Sequence, residues 1–381
     1  MTGARPPSDA GRAARSGGRS RALLLLLLLC AAPAGARAEP GVRILDLPFT
    51  VRTLRGPRSE IAVSVATSGL LPIAGARTGR EAGDEESAPV AVVWGDEGGA
   101  VLTLADGTVT VKPIGREAVE GLSAAETPRG ALPGTRRALS GPLSAYLTGR
   151  ARAPDGSAAA AVLTIRERQP LAVSTDPKPV PVATATVPAG DAAVFAPLRP
   201  RLLRLAGRPA LLAATLSGAD SGGLALITRP GAEASWRVAA RTPPQPGPPL
   251  KIAGIADFSG SGTPQAATVD ARGRLQLWTL QPDTIEAAGE ATGYAAGDGD
   301  SDLAVTAPAG GAPPELVLPV AGRPEIALVS AKGSVHERLR VTLPAPAATG
   351  IVVLGEGNAA RLLVGLADGR VAVVAPDGGT P

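Results

Sequence analysis

The chain has 381 residues and a formal net charge of +4, with 48 Gly and 38 Pro but only eight aromatic residues and one Cys, one Met and one His. This length fits two or three domains or one large all-β domain, while so much Gly and Pro excludes long helices and 44% hydrophobic residues excludes a wholly disordered chain. One His and one Cys also exclude a metal centre built from several such ligands.

The first 38 residues have the three parts of a secretory signal peptide. An arginine-rich stretch precedes the leucine run Leu23–Leu29, and small residues follow up to a cleavage site at Ala36-Arg37-Ala38. The apolar stretch is shorter than the roughly 20 residues of a membrane-spanning helix, so no stable membrane span is expected. A lipoprotein signal at Cys30 is the alternative, but a leucine precedes that cysteine. We predict a signal peptide over residues 1–38 and a bacterial protein that is periplasmic or secreted.

The predicted mature chain, residues 39–381, differs in charge from the precursor. Residues 1–38 hold six Arg and one Asp, a net charge of +5, so the remaining residues carry a net charge of −1. Nucleic-acid binding then loses its electrostatic basis, and stacking aromatic residues are scarce as well. Because Cys30 lies in the signal, the mature chain also has no thiol for a disulfide or for catalysis.

The apolar segments that follow are short, rich in β-branched residues and bounded by Gly, Pro and Asp. None has a sustained period of 3.6 residues, and continuous runs of four to six apolar residues are typical of strands, some of them buried on both faces. The predicted strands include Ile61–Val65, Val90–Trp94, Val101–Leu104, Leu211–Leu216, Leu224–Ile227, Ile326–Val329 and Ile351–Leu354.

A turn-and-strand unit recurs along the chain. Gly207-Arg208-Pro209, Gly262-Thr263-Pro264 and Gly322-Arg323-Pro324 each lead directly into an apolar strand. Hairpin turns such as Asp106-Gly107 and Asp368-Gly369 precede strands that alternate apolar and polar residues. One unit cannot bury its own faces, and a blade of roughly 40–50 residues gives about seven copies. We predict one all-β domain over residues 39–381, a β-propeller of seven four-stranded blades.

Two segments carry a family resemblance. Ile255–Gln265 and Gly297–Val305 resemble the FG-GAP/VCBS repeat of integrin-like β-propellers, in which an acidic calcium loop runs into a strand. In the first segment Asp257 is retained, while Ser259 and Ser261 stand where the family has further ligands. The resemblance implies a degenerate bacterial member of that propeller family.

The second of these segments holds the candidate metal ligands. The resemblance places Asp298, Asp300 and Asp302 at or between ligand positions. Calcium takes six to eight oxygen ligands, and this loop does not offer a full set. Two interpretations stay open, a weak residual Ca²⁺ site and a solvated acidic turn, and no other cofactor is expected.

Other chemical motifs are weaker. Gly355-Glu356-Gly357-Asn358-Ala359-Ala360 mimics the dinucleotide fingerprint, but only a hairpin around Asp368-Gly369 follows it, so a propeller turn is expected instead. The single histidine, His336, lies on the polar face of a predicted outer strand and is expected at the surface. We therefore predict no catalytic residues.

Two functions of different classes remain. The main hypothesis is a non-enzymatic, monomeric, exported propeller that binds or scaffolds a protein or polysaccharide partner in the cell envelope. The alternative is a propeller enzyme that acts on extracellular polysaccharide or on phosphate esters. Scarce His and aromatic residues favour the first hypothesis, whereas a site built from Asp, Glu and Arg would favour the second.

Overall fold

The computed structural model describes residues 41–57, 59–68, 90–169, 180–190, 192–218, 221–231, 233–297, 299 and 301–377. All of them belong to one compact unit, residues 38–381. The predicted signal peptide lies outside the described residues. In the part of the chain that is described, every helix falls short of the length and apolar character that crossing a bilayer requires.

Four of the sheets have four antiparallel strands each, and in three of these sheets the neighbouring strands are consecutive in the chain. The exception is the last sheet, whose outermost strand comes from the start of the described chain. In sheet order, the strands are β2 (Thr53–Arg55), β3 (Val90–Trp94), β4 (Gly99–Ala105), β5 (Thr108–Ile114); β16 (Lys251–Ala256), β17 (Gln265–Val269), β18 (Arg274–Gln281), β19 (Thr284–Thr292); β20 (Ala304–Thr306), β21 (Glu315–Pro319), β22 (Glu325–Ser330), β23 (His336–Thr342); and β24 (Ala347–Leu354), β25 (Arg361–Leu366), β26 (Val371–Val374), β1 (Val42–Ile44).

The remaining ten strands form one sheet that contains two meanders, β6–β9 and β11–β14. Strand β10 pairs with both β8 and β12 and so joins the two meanders, while β15 pairs with β13. The strands are β6 (Ala138–Ser140), β7 (Leu143–Arg152), β8 (Ala158–Arg168), β9 (Val182–Pro188), β10 (Ala193–Phe195), β11 (Arg201–Leu205), β12 (Arg208–Ser217), β13 (Ser221–Thr228), β14 (Arg237–Arg241) and β15 (Gln245–Pro246).

This architecture confirms the predicted fold class. The chain is nearly all-β, and meandering antiparallel sheets that follow one another along the chain are the build of a β-propeller. The predicted number of seven blades is not confirmed, because the described strands form four four-stranded sheets and one ten-stranded sheet.

The recurring turn motif does not mark equivalent positions of the sheets. Gly262-Thr263-Pro264 precedes β17, the second strand of its sheet, whereas Gly322-Arg323-Pro324 precedes β22, the third strand. Likewise, Asp106-Gly107 joins the third and fourth strands of one sheet, and Asp368-Gly369 joins the second and third of another. Gly107 and Gly369 have φ of +74° and +82°. The motif therefore marks tight turns, in which glycine adopts a positive φ, and does not mark the repeat length of a blade.

One predicted strand is a helix. Residues Glu60–Thr67 form α1, which includes the segment Ile61–Val65, and Arg116–Ala125 form α2. The Ser59 side chain accepts a hydrogen bond from the Ala62 N–H at 3.1 Å, which is an N-cap that the prediction overlooked. The helix buries Ile61, Ala62, Val65 and Ala66 on one face against β3 and β4, so tertiary packing stabilises it despite its four β-branched residues.

The ends of the described chain meet in one sheet. Val42, Arg43 and Ile44 of β1 pair with Val374, Val373 and Ala372 of β26. Val42 is 5% exposed and Val374 is fully buried, so the pairing hides apolar side chains as well as backbone groups. This junction connects the first part of the domain to its last part and closes the ring of sheets.

We expect Val42→Asp to lower the free energy of unfolding by roughly 3–5 kcal/mol, because the new carboxylate is buried without a cation. Denaturant titration followed by circular dichroism measures the change. The matched control is Asp46→Asn, an exposed site four residues away that should leave the midpoint unchanged. Equal stability of the two variants would mean that the β1–β26 pairing does not contribute to closure.

Candidate functional site

The first strands of successive sheets come together. Contacts join β2 to β24, β24 to β20, β20 to β16, and β6 to β11. Arg201, at the start of β11, adds a link by donating a hydrogen bond to the Ile252 carbonyl of β16 at 3.2 Å. Residues at or just before the starts of these strands therefore lie near one another although they are far apart in sequence.

Three arginines surround one aspartate at this place. Both terminal nitrogens of Arg136 donate to the Asp302 carboxylate at 3.1 Å, and Arg199 Nη2 donates to Oδ1 at 3.0 Å. Arg201 Nη1 lies 3.6 Å from the same oxygen. We call Arg136, Arg199, Arg201 and Asp302 the arginine–aspartate centre.

The positions of these residues follow from the topology. Arg136 lies just before β6, Arg199 lies just before β11, Arg201 is the first residue of β11, and Asp302 lies just before β20. The Asp302 carbonyl also accepts a hydrogen bond from the Ile351 N–H of β24 at 2.8 Å. The centre thus ties together segments that precede or form the first strands of the ten-stranded sheet and of two four-stranded sheets.

A second carboxylate extends the network. Glu126 accepts from Arg55 Nε at 3.1 Å through both oxygens, and Arg136 Nη1 lies 3.9 Å from it. The Glu126 side chain is 8% exposed and that of Arg136 is 6% exposed, so Arg136 lies between two buried carboxylates. Nearby, Arg137 forms an ion pair with Glu60, the first residue of α1.

The charge on Asp302 is set by its neighbours. Burial by itself would raise the pKa of this carboxyl, but the guanidinium groups of Arg136, Arg199 and Arg201 outweigh burial and hold the pKa well below its ordinary value. Asp302 is therefore an ionised carboxylate across the physiological range and is unsuited to donate a proton.

A hydrogen-bonded lysine and serine lie beside the centre. Lys251 Nζ donates to Ser301 Oγ at 2.9 Å, and each residue is 7% exposed. Gly297 has φ of +70°, and a Cβ there would lie 2.9 Å from Ser301 Oγ. A side chain at position 297 would crowd the serine hydroxyl, so glycine leaves space next to it.

A small cavity adjoins these cationic side chains. Its volume is about 10 Å³, enough for one water molecule. It is lined by Leu198, Arg199, Arg201, Lys251 and Ile252.

A larger groove lies elsewhere, between β8, β9 and the segment that leads into β14. Its volume is about 360 Å³, and Glu167 and Arg229 form a bidentate pair along it at 2.8 and 3.0 Å. The Arg229 guanidinium also lies 5.0 Å from the centroid of the Trp236 ring. The charged groups of this groove are thus engaged with each other, and we do not assign it a ligand.

Of the three predicted calcium ligands, Asp298 and Asp300 lie outside the described residues. The third, Asp302, faces three guanidinium groups and not an open loop, so this carboxylate serves as the counter-ion of arginines. Among the described residues, no cluster of three or more His, Cys, Asp or Glu side chains could hold a metal ion. The calcium site stays a prediction for the two aspartates that are not described.

The first FG-GAP-like segment folds around its retained acid. The Asp257 carboxylate accepts from the N–H groups of Gly260, Ser261 and Gly262 at 2.9, 3.0 and 2.6 Å, and from the Ser259 hydroxyl at 3.2 Å. Partial burial would raise the Asp257 pKa, but these donors together lower it. The Asp257 carboxylate thus holds the loop through the backbone N–H groups of that loop. In the FG-GAP/VCBS repeat that this segment resembles, a cation occupies this place.

The other predicted residues lie away from the centre. His336 is exposed at the start of the outermost strand β23, as expected, with Nδ1 2.8 Å from the Ser334 carbonyl. The segment that mimics a dinucleotide fingerprint contains a 3₁₀ turn, Gly357–Ala359, that leads directly into β25. The arginines at the centre carry no sequence motif, and none of the strands named in the sequence analysis adjoins them in the chain.

No protein-family model and no curated protein matches the chain. Three solved structures are similar in fold. Trypanosoma rangeli sialidase in complex with sialic acid has 11% identity and a TM-score of 0.40, covering 75% of this chain and 52% of its own. Hadza microbial sialidase Hz136 has 12% identity and a TM-score of 0.41, covering 75% and 62%. A luciferin-regenerating enzyme has 12% identity and a TM-score of 0.40, covering 88% and 95%.

These comparisons correct the functional prediction. The sequence favoured a non-enzymatic binding or scaffolding propeller, whereas the similar structures are enzymes, so that prediction is wrong and the enzymatic alternative is favoured. The chain spans about half the length of the T. rangeli sialidase, and the similarity shows the fold but not the activity. Membership of the FG-GAP/VCBS family stays a prediction.

We expect Asp302→Asn to lower the free energy of unfolding at pH 7 by about 3–5 kcal/mol, because it leaves buried guanidinium groups without their carboxylate. The pKa of Asp302 is lower in the folded protein than in the unfolded chain, where it is about 3.9. Asp302 therefore stabilises the folded state fully above about pH 3.9, and this contribution is lost as the pH falls below that value. Denaturant titrations of both proteins between pH 7 and pH 2 measure the difference, which should narrow in acid.

Asp96→Asn is the matched control for this prediction. Asp96 pairs with Arg52 at 2.8 Å, but both side chains are about two-thirds exposed, at 67% and 68%. Its loss should cost less than about 1 kcal/mol at any pH. A similar cost for the two variants would contradict a buried electrostatic role for Asp302.

Proposed function

We propose that this chain is an exported propeller enzyme that hydrolyses phosphate esters, with the phosphoryl group bound at the arginine–aspartate centre. The observation that carries the proposal is the cavity bordered by Arg199, Arg201 and Lys251, three cationic side chains from two sheets. A phosphoryl group is the anion that such a constellation suits, because guanidinium forks bind its oxygens in pairs.

The chemistry of the centre favours phosphate esters over glycosidic bonds. Glycoside hydrolysis needs a carboxylic acid with a raised pKa as proton donor, together with a second carboxylate. Asp302 has a lowered pKa, and Glu126 accepts two hydrogen bonds from Arg55. Phosphoryl transfer instead depends on positioning and on positive charge around the phosphoryl oxygens, which arginines supply.

The centre also keeps its cations in place before a substrate arrives. Arg136 and Arg199 are held by Asp302, and Arg201 is held by the Ile252 carbonyl. Guanidinium groups fixed in this way need no reorganisation to stabilise charge that develops on phosphorus-bound oxygens. The cavity, of about 10 Å³, would take one phosphate oxygen beside the existing partners of these arginines.

We expect the mature chain to hydrolyse p-nitrophenyl phosphate or bis-p-nitrophenyl phosphate, and we expect Arg199→Gln and Arg201→Gln each to lower kcat/KM by about 100-fold. Inorganic phosphate should also raise the Tm of the unmodified protein and should have less effect on the two variants. Initial rates and thermal melts with and without phosphate provide the two measurements.

The control variant is Arg323→Gln, whose side chain is 63% exposed and pairs with Glu325 at 3.9 Å. It removes the same charge far from the cavity and should leave rates and phosphate stabilisation unchanged. Absence of hydrolysis of both esters together with absence of phosphate stabilisation would contradict the proposal.

A further inference from the structure

We propose that Ser301 is the nucleophile of this site and that Lys251 is its general base. The inference rests on the proposed function and deepens it, because it assigns a covalent phosphoserine intermediate and narrows the substrate to esters whose phosphorus a serine oxygen can attack. Ser301 lies in the second FG-GAP-like segment, Lys251 belongs to no motif, and 50 positions separate the two residues.

The geometry is that of an activated hydroxyl. Lys251 Nζ and Ser301 Oγ are 2.9 Å apart, within the distance over which a base accepts the proton of a nucleophile. Lys251 starts β16 and Ser301 precedes β20, so two separate sheets bring the groups together. Serine–lysine pairs are one of the recurring arrangements for activating a serine hydroxyl.

The surroundings of Lys251 distinguish it from a surface lysine. It is 7% exposed, and it lines the same cavity as Arg199 and Arg201. A buried amine at hydrogen-bond distance from a hydroxyl is placed to exchange a proton with it. By contrast, Lys332 is exposed at a hairpin turn.

A glycine lies beside the Ser301 hydroxyl. Gly297 approaches the hydroxyl with no side chain, in a backbone conformation with φ of +70° that disfavours other residues. Ser301 also directly precedes Asp302, whose carboxylate accepts hydrogen bonds from Arg136 and Arg199. A phosphoryl group held by those arginines would present its phosphorus to Ser301 Oγ.

The reaction balances without a further reagent except water. Ser301 Oγ bonds to phosphorus while its proton passes to Lys251 Nζ; the ester P–O bond breaks, and the alcohol leaves with the proton from Lys251. Water then attacks phosphorus and gives a proton to Lys251. The P–Oγ bond breaks, Ser301 recovers the proton, and phosphate leaves. The arginines offset the negative charge on the non-bridging oxygens in both steps.

Diisopropyl fluorophosphate tests the pair without knowledge of the substrate. An activated serine displaces fluoride and forms a stable P–Oγ bond, which mass spectrometry detects as an added mass and assigns to a peptide. We expect the mature chain to be labelled at Ser301 and Ser301→Ala to remain unlabelled. Ser259→Ala, which removes a hydroxyl from the Asp257 loop, is the matched control and should be labelled like the unmodified chain.

Lysine variants test the base. Lys251→Met should slow labelling by at least about 100-fold, while Lys332→Met should leave the rate unchanged. Lys251→Arg keeps a positive donor that cannot act as a base, so it separates loss of the base from loss of the fold. Circular dichroism identifies the variants that fold, and either folded variant suffices for the comparison.

The outcomes separate this inference from the proposed function. No labelling of Ser301, labelling of Lys251→Arg at the unmodified rate, or unchanged ester hydrolysis by Ser301→Ala would overturn the pair, and the last result would leave a phosphate-ester hydrolase standing. Labelling of Ser301 that depends on Lys251, in a chain that hydrolyses neither phosphate ester and is not stabilised by phosphate, would support the pair and overturn the proposed function.

Discussion

Closure of the ring by β1 and β26 is the constraint on which the other features depend. Three residues at the start of the described chain, Val42–Ile44, complete a sheet whose other strands lie at its end. Once the ring is closed, the first strands of successive sheets must face one another, and the residues that introduce them must share a small volume. Arg136 and Asp302, 166 positions apart, meet because of this geometry and not because of any local preference.

The charges collected there are costly for a fold to bury. Among the described residues, Arg55, Glu126 and Lys251 add to the arginine–aspartate centre, giving five cationic and two anionic side chains. Buried ion pairs often stabilise a protein less than well-packed apolar residues of the same size would. The surrounding clusters of Leu, Val and Ala supply the apolar core, and the proposed phosphate site gives the buried charges a role that packing does not.

The two segments that resemble FG-GAP repeats are held by different contacts. Around Asp257, backbone N–H groups satisfy the carboxylate, so the loop keeps its form through hydrogen bonds alone. In the second segment, Asp302 pairs with the arginines, while Ser301 contacts Lys251. Both residues lie just before β20, and β20 contacts the first strands β16 and β24.

The sequence by itself determined the all-β class, the bounds of strands such as Val90–Trp94, the tight turns at Gly107 and Gly369, and the exposed position of His336. These features depend on local rules: apolar runs make strands, positive φ selects glycine, and polar alternation marks an outer strand. Only the tertiary structure decided that Ile61–Val65 is helical, that the turn motif occupies non-equivalent places, and that Asp302 is a counter-ion of arginines. Those outcomes depend on which faces become buried and which distant residues meet, and a one-dimensional pattern does not encode contacts between strand starts that lie 50 to 166 positions apart.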